Sequence, residues 1–590
     1  MDRSSVARLL VIAAAVILFW KFGLPLITGG GDKAQTIPDE TYVNAPGFVP
    51  DVIDPPVEPG VPNRPSDGEI CKIQGNRFDA LLSSRGAGIQ NLYLREAQYA
   101  GPEGFDLSTT PDHERWRSLR TLFRGPDATS QVKYDRFPWQ LERHPGDKGC
   151  TFTYEDADVR IVKTVTAGER PFELNVETKV TNLASEAKRH ALSIGTYAYR
   201  TNAEVKGSLG RVSPFQTELS CAAGKDVERK GKDDFKAGWL SVSGADRYAA
   251  VTTHYFAQAL VPQPGDGAVQ ELPRCEIVAE HWVAAGQAHD ADDAGAVYHA
   301  RLAYPAKELA PQETATYRQI GFFGPKERDV LAQAAGGDKL KDLINLGFFT
   351  PVARVLVGAL VFFHDHVTFG NWGVAIILLT VCLRVLLFPL TLKSIKTTIA
   401  MRRLKPEVDA LNAKFADDAQ AKNLAMMELW KKHGVNPFGG CLPQLVQMPV
   451  WFAMYTTLQT AVEMYHTDFL WFTDLSSPDR FYILPLLLGA FMILQQRIVP
   501  QQGMDPMQQK MMTWMMPAVF TVMMLFLPAA LGVYMLTNSA LGIAQQLIVE
   551  RIAPRDSKEF VVKQKGEKPK DGGSKPGKGV EDFGKGKARV

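Results

Sequence analysis

Arg384 sits inside an apolar run, residues 374–390, that is otherwise long and greasy enough to cross a bilayer. At the middle of a membrane helix an arginine costs roughly 2.5–3.5 kcal/mol on insertion scales, so it must be kept wet, paired or in use. Counting back from Lys393, a rise of about 1.5 Å per residue puts Arg384 about 13 Å inside the apolar layer. A snorkelling side chain covers about half of that. Arg384 is therefore a functional candidate, with simple snorkelling as the alternative. Polar residues that could surround it recur in other apolar segments. Thr380 lies one turn earlier on the same face; Gln444 and Gln447 are one turn apart between Pro443 and Pro449; the last apolar segment carries Tyr534, Thr537, Asn538 and Ser539. No second charge lies inside these segments, and Glu463 and Glu550 fall at segment ends. Without a carboxylate partner an arginine is poorly suited to relaying protons, where chains of Asp, Glu and His are expected, and well suited to attracting a negative group.

Methionines crowd the same region, in MDPMQQKMMTWMMPAVFTVMM and at Met401, Met426 and Met427. Flexible thioethers repack around varied apolar shapes, although core filling explains any single one. Together these residues describe a hydrated groove open to the cytoplasm, with one positive charge and adaptable apolar walls. A nascent membrane segment could place a short acidic tail in such a groove while its apolar part slides into lipid, which lowers the desolvation barrier for polar groups. No GxxxxGK[ST] phosphate-binding loop occurs, and the mechanism needs neither nucleotide nor any other cofactor. No catalytic residue is assigned, so the chain reads as a non-enzyme.

Such a site must be held by helices, and the chain divides accordingly. Its 590 residues, with 45% hydrophobic content and a net charge of +2, average two unlike halves. Residues 1–27 read as a signal-anchor with a basic leader and an apolar stretch at 6–26; a cleaved signal peptide is the rival. Five further spans are expected at 372–390, 441–464, 481–499, 511–527 and 529–549, each near the roughly 20 residues that cross about 30 Å of hydrocarbon. The stretch 392–440 holds nine Lys/Arg against five Asp/Glu, whereas 466–480 has one Arg against Asp468, Asp474 and Asp479. By the positive-inside rule the first loop is cytoplasmic, both termini are cytoplasmic, and the large soluble part lies outside.

That soluble part begins with a Pro-rich tether at 28–69. Residues 70–335 alternate apolar and polar positions between Gly, Asn, Pro and Asp turns, which predicts an all-β sandwich larger than an immunoglobulin domain. His113, His144, His190, His254, His281, His289 and His299 show no metal-ligand spacing, and Phe137 and Trp139 either stack a sugar or fill core. Cys71, Cys150, Cys221 and Cys275 permit up to two disulfides with three connectivities. A short amphipathic helix at 336–350, with Leu340, Leu343, Ile344 and Gly347 on one face, is expected to lie in the membrane interface. In 392–440, Ile395, Ile399, Leu404, Val408, Leu411 and Phe415 recur at helical spacing, with a second helix around Leu424, Met427, Leu429 and Trp430. This is a cytoplasmic helical hairpin within a core at 372–550. The tail 551–590, with twelve Lys/Arg against six Asp/Glu, has a disordered composition that could touch ribosomal RNA by charge, or serve only as a positive-inside tail.

The stretches RVLLFPLTLKS, MRRLKPEV, NPFGGCLPQLVQMPVWFAMY, DPMQQKMMTWMMP and YMLTNSALGIAQQ, in that order, resemble the YidC/Oxa/Alb family of bacterial membrane protein insertases in its Gram-negative form. The resemblance covers residues 345–550 by motif and the whole chain by architecture. It implies a polytopic α-helical membrane protein with six spans and a five-helix insertase core around a cytoplasm-facing groove. Arg384 matches the family's groove arginine, and Thr380, Gln447 and Tyr534 match polar lining positions; Gln444 and Asn538 are further candidates. It also implies a periplasmic β-supersandwich similar to sugar mutarotase folds, a location in the bacterial inner membrane amid membrane lipids, and nascent membrane proteins as clients. Translating ribosomes, SecYEG and SecDF are the implied partners, with no DNA. A membrane-tethered carbohydrate-binding or sugar-modifying protein and a small-solute transporter are the alternatives. The first is tested by sugar binding to 70–335; the second predicts inverted repeats and buried acid or histidine pairs, which are not seen.

Overall fold

A computed structural model describes residues 47–48 and 68–552, except 101–104, 109–115, 125–130, 135–137, 207–212, 236–237, 265–271, 284–285, 287, 416–417, 436–441 and 499–509. The expected anchor at 1–27, nearly all of the tether at 28–69 and all but the first two residues of the tail at 551–590 lie outside the described residues. Two compact units result, one from 1–390 and 443–545, the other from 391–442 and 546–590.

Among the described residues, the β half of the first unit holds two large antiparallel sheets. The nine-stranded sheet runs in the order Asp226–Lys230, Glu218–Ala223, Tyr248–Thr252, Phe256–Gln263, Thr314–Pro325, Glu173–Asn182, Val159–Ala167, Gly149–Glu155 and Gln140–Arg143. The six-stranded sheet runs Leu240–Val242, Arg274–Trp282, Gly295–Ala303, Leu192–Thr201, Arg120–Arg124 and Gln131–Lys133. Alternation sets which face is buried. In Val159–Ala167 the positions Val159, Ile161, Lys163 and Val165 are buried while those between are more exposed, as a half-buried strand requires. Gly295–Ala303 is buried throughout, because both faces of its sheet are covered. Arg301 there pairs with the facing Glu276 at 2.6 Å, both buried.

The cysteines form two bridges, Cys71–Cys150 and Cys221–Cys275. Each ties two sheets: Cys71 belongs to a four-stranded sheet and Cys150 to the nine-stranded one, while Cys221 and Cys275 join the nine- and six-stranded sheets. Loops of 79 and 54 residues correspond to about 4 kcal/mol each in the chain-entropy account. Trp139 is core: its side chain is buried and Nε1 donates to the Tyr134 carbonyl at 2.9 Å. His190 is core as well, bonded to the Tyr317 hydroxyl at 2.8 Å, and burial pushes it down to about 3.

The helix expected at 336–350 is absent. In its place are the 3-10 turns Ala334–Gly336 and Lys341–Leu343, because Ala335, Gly336, Gly337, Asp338 and Gly347 all take positive φ and interrupt any helical ladder. The helix that does form, α1, is Thr350–His366, started by Pro351. It buries Ala353, Leu356, Val357 and Leu360, one face at helical spacing, and His364 stacks on Trp372 with ring centroids 3.8 Å apart.

Helix α2, Trp372–Leu386, is capped by Asn371, whose side chain accepts from the Val374 amide at 3.0 Å. It ends at Leu387, ahead of Pro389, and α3, Phe388–Arg403, starts anew, so the expected span 372–390 is a broken helix. The single helix expected across 395–415 is likewise broken at Leu404, because Pro406 opens α4, Lys405–Lys414. Helix α5, Ala419–Lys432, is capped by Asp418. Within the second unit α4 and α5 pack through Val408, Met426 and Leu429. Among the described residues the helices that follow are α6 Leu442–Thr460, α7 Ile483–Ile498, α8 Met516–Met524, preceded by a π-helical turn Met511–Met515, and α9 Ala529–Ile552. Among the described residues no single helix is long and apolar enough to cross a membrane; α2 and α3 pass that test only as a pair.

The end of α6 and the loop after it dock on the β half. Gln98 Nε2 donates to the carbonyls of Glu463 (3.2 Å) and Tyr465 (2.9 Å), Arg328 pairs with Glu463 at 2.7 Å, and His254 Nε2 bonds the Gln459 carbonyl at 2.6 Å. Asp479 caps α7 by accepting from the Phe481 and Leu484 amides at 3.0 and 2.7 Å.

Candidate functional site

Arg384 occupies the last turn of α2, where its side chain extends toward α9. Nε donates to Asn538 Oδ1 at 2.7 Å, Nη2 to the Asn538 backbone carbonyl at 2.6 Å, and Nη1 reaches Gln545 Oε1 at 3.5 Å. Gln545 Nε2 donates back to the Arg384 carbonyl at 3.3 Å. Asn538 Oδ1 also accepts from Gln447 Nε2 of α6 at 3.0 Å, so one amide oxygen joins three helices. Tyr534, one turn before Asn538 on α9, is fully buried beside Gln447.

The α9 face is a stripe of Tyr534, Asn538, Gly542 and Gln545, spaced at four, four and three residues. Gly542 has a specific role in it. A Cβ built there would stand 3.0 Å from Arg384 Nη2, so the missing side chain leaves room for the guanidinium. Every partner of Arg384 is a neutral amide or a backbone carbonyl, and among the described residues no carboxylate pairs with it. Its charge is hydrogen-bonded but not neutralised, and it remains half-buried. Such a group attracts an anion more strongly than it would in water, since the effective dielectric around it is lower.

The structure thus brings together Arg384, Gln447, Asn538 and Tyr534. Thr380 is one turn away on α2, but it is buried and its hydroxyl donates to the Ile376 carbonyl of its own helix at 2.7 Å. It shapes the wall and offers no free donor. The side chain of Gln444 lies outside the described residues. Sequence reasoning missed Gln545 and Gly542. Both follow Tyr534 and Asn538 along a single helical stripe, which was the signal available.

The helices of the first unit turn apolar side chains outward: Val385 and Leu386 on α2, Leu486 and Leu494 on α7, Val519 and Val522 on α8 are all exposed. An apolar outer surface is what a lipid solvent selects. The methionines divide between both surfaces, with Met454 and Met524 buried and Met427, Met515 and Met516 exposed.

Comparison with known proteins extends over both halves. The 60Kd inner membrane protein family matches residues 362–556, and the YidC periplasmic domain family matches 71–359. A membrane protein insertase YidC from Citrifermentans bemidjiense is 40% identical over 488 residues, 81% of this chain and 85% of its own. One from Geobacter sulfurreducens is 34% identical over 484 residues, 80% of this chain and 85% of its own. A crystal structure of an active YidC insertase with its first transmembrane domain resolved aligns over 81% of this chain and 94% of its own at 18% identity. Its TM-score is 0.34.

Proposed function

The chain belongs to the YidC family of membrane protein insertases, and on that premise we propose that Arg384, Gln447, Asn538 and Tyr534 form the site that holds a client's polar segment as it enters the bilayer. The protein is an insertase of the inner membrane with a periplasmic domain; its clients are nascent membrane proteins, and it is not an enzyme. Membership decides against the sugar-modifying and solute-transport alternatives.

In the proposed arrangement the expected spans surround a hydrated groove that opens to the cytoplasm. Both termini and the α4–α5 hairpin are cytoplasmic, and the β half is periplasmic. A client's externally destined tail enters the groove, where water and the amides of Gln447 and Asn538 replace part of its hydration, and Arg384 attracts its negative charge. The apolar part of the client leaves sideways along the exposed apolar helix faces into lipid. No nucleotide takes part. Clients arrive from translating ribosomes, which the hairpin and the basic tail contact, either directly or through SecYEG and SecDF. The observation that carries this reading is an arginine held by three neutral acceptors and, among the described residues, paired with no carboxylate. A benzophenone side chain at position 447 tests it, with one at the outward-facing position 486 as the control. Stalled nascent chains should crosslink from 447 in preference to 486. Equal yields from both would remove the groove assignment.

A further inference from the structure

A cavity of about 590 Å3 lies away from the Arg384 site, between an edge of the β half, the linker after it and α1. Its lining is basic: Lys225, Arg229, Arg328, Lys341 and Arg354 stand against Asp329 and Asp342. The carboxylates do not balance these cations. Asp342 is shared, with Arg354 3.7 Å from one oxygen and Arg247 2.6 Å from the other, and Lys341 pairs with Asp338 at 3.1 Å outside the lining, which still leaves the cations in excess. Arg328 gives Nη1 to Glu463, but its Nη2 is buried with no partner.

The wall supplied by α1 is apolar, with Val357, Gly358 and Val361 beneath Arg354. On the neighbouring stripe of the same helix, Val355 and Phe362 are 71% and 53% exposed, and Phe348 and Phe369 continue the exposure just beyond either end. Large apolar side chains at seven-residue spacing, left uncovered beside a basic cavity, match an amphiphile with a negative head and hydrocarbon tails. A free phosphate would account for the basic lining and leave the stripe unexplained.

We propose that this cavity binds the headgroup of an anionic phospholipid. The phosphate lies among Arg328, Lys341 and Arg354, and the acyl chains lie along Val355 and Phe362. The lipid ties the β half to the membrane surface through α1. This goes beyond the insertion reading and shares no residue with the Arg384 site.

Gly358 gives a selective way to close the cavity, because a Cβ there meets nothing within 4 Å. Purified full-length protein in detergent is titrated with phosphatidylglycerol, phosphatidylcholine and glycerol 1-phosphate, with bound species counted by native mass spectrometry. Thermal unfolding confirms that each variant is folded. Wild type should show one site that prefers phosphatidylglycerol over phosphatidylcholine by at least about tenfold. The Lys341→Gln/Arg354→Gln double variant should lose that preference, and Gly358→Trp should lose the site. Full retention by either variant overturns the assignment. So does displacement of the lipid by glycerol 1-phosphate at equal concentration, which would mark a site for free phosphate.

Discussion

Replacing Arg384 removes one charge and its hydrogen bonds to Asn538 and Gln545, and these two losses separate by choice of variant. A client carboxylate about 7 Å from the guanidinium gains about 2.4 kcal/mol at an effective dielectric of about 20. Felt fully in the insertion barrier, that is about 50-fold in rate. In a water-filled groove at physiological salt, a Debye length of about 8 Å reduces it to about 1 kcal/mol, or roughly fivefold. Arg384→Gln, which keeps an amide donor near Asn538, should therefore slow clients with acidic translocated tails by about 5- to 50-fold. The same clients with Asp and Glu changed to Asn and Gln should be affected less than about twofold. Arg384→Lys retains the charge and should lie near wild type for acidic clients, though a single ammonium cannot reproduce the two-point grip on Asn538. The assay is protease protection of a matched client pair in inverted membrane vesicles, with protein levels checked by immunoblot. Equal slowing of acidic and neutral clients by Arg384→Gln would refute the charge argument. So would a lysine variant as impaired as the glutamine one.

Other perturbations follow from the same geometry. Gly542→Val puts bulk beside Arg384 Nη2 and should impair acidic clients with the charge left in place, to an extent between Arg384→Lys and Arg384→Gln in the same vesicle assay; wild-type insertion would mean that the guanidinium does not need that space. Lys163 is fully buried, donates to the Ala87 carbonyl at 2.8 Å and to that of Leu119, and is pushed down to about 7 by burial. The unfolded chain then binds more protons than the folded one between about pH 7 and 10, so stability rises with pH across that window by up to a few kcal/mol. Urea unfolding followed by near-ultraviolet circular dichroism at pH 7 and pH 9 should show this rise in wild type and a flatter response in Lys163→Met. Glu463→Gln breaks the pair with Arg328, whose side chains are 17% and 18% exposed. It should cost about 1–2 kcal/mol of docking between the loop and the β half, seen as faster hydrogen exchange at 462–466 with the β sheets unaffected.

Much of this was legible in the sequence, for reasons that differ by region. The β half announced itself because a sheet buried on one face writes its period of two into segments such as 159–167, and Arg384 stood out because charge inside an apolar run is costly. Asn538 emerged only as a secondary candidate, although it is the residue on which Arg384 and Gln447 converge. An amide carries no charge to draw attention, and its importance depends on which helices neighbour α9. Gln545 and Gly542 were missed for the same reason, and a glycine's contribution is a space that only the facing side chain reveals. At 336–350 apolar periodicity misled, since Gly336, Gly337 and Gly347 impose backbone conformations that outweigh it, and the helix moved to 350–366. The cysteine pairing could not be read from spacing, because each bridge joins strands of different sheets.

The proposed groove, with its single charge, should insert a client without help from another translocase. This is tested by reconstituting the purified protein in liposomes without nucleotide or any other translocase, and offering a two-span client with an acidic external loop. Protease protection should exceed that of empty liposomes for wild type and fall toward the empty control for Arg384→Ala. Protection no greater than in empty liposomes would contradict independent insertion of that client, and equal protection by wild type and the alanine variant would contradict the role of the charge.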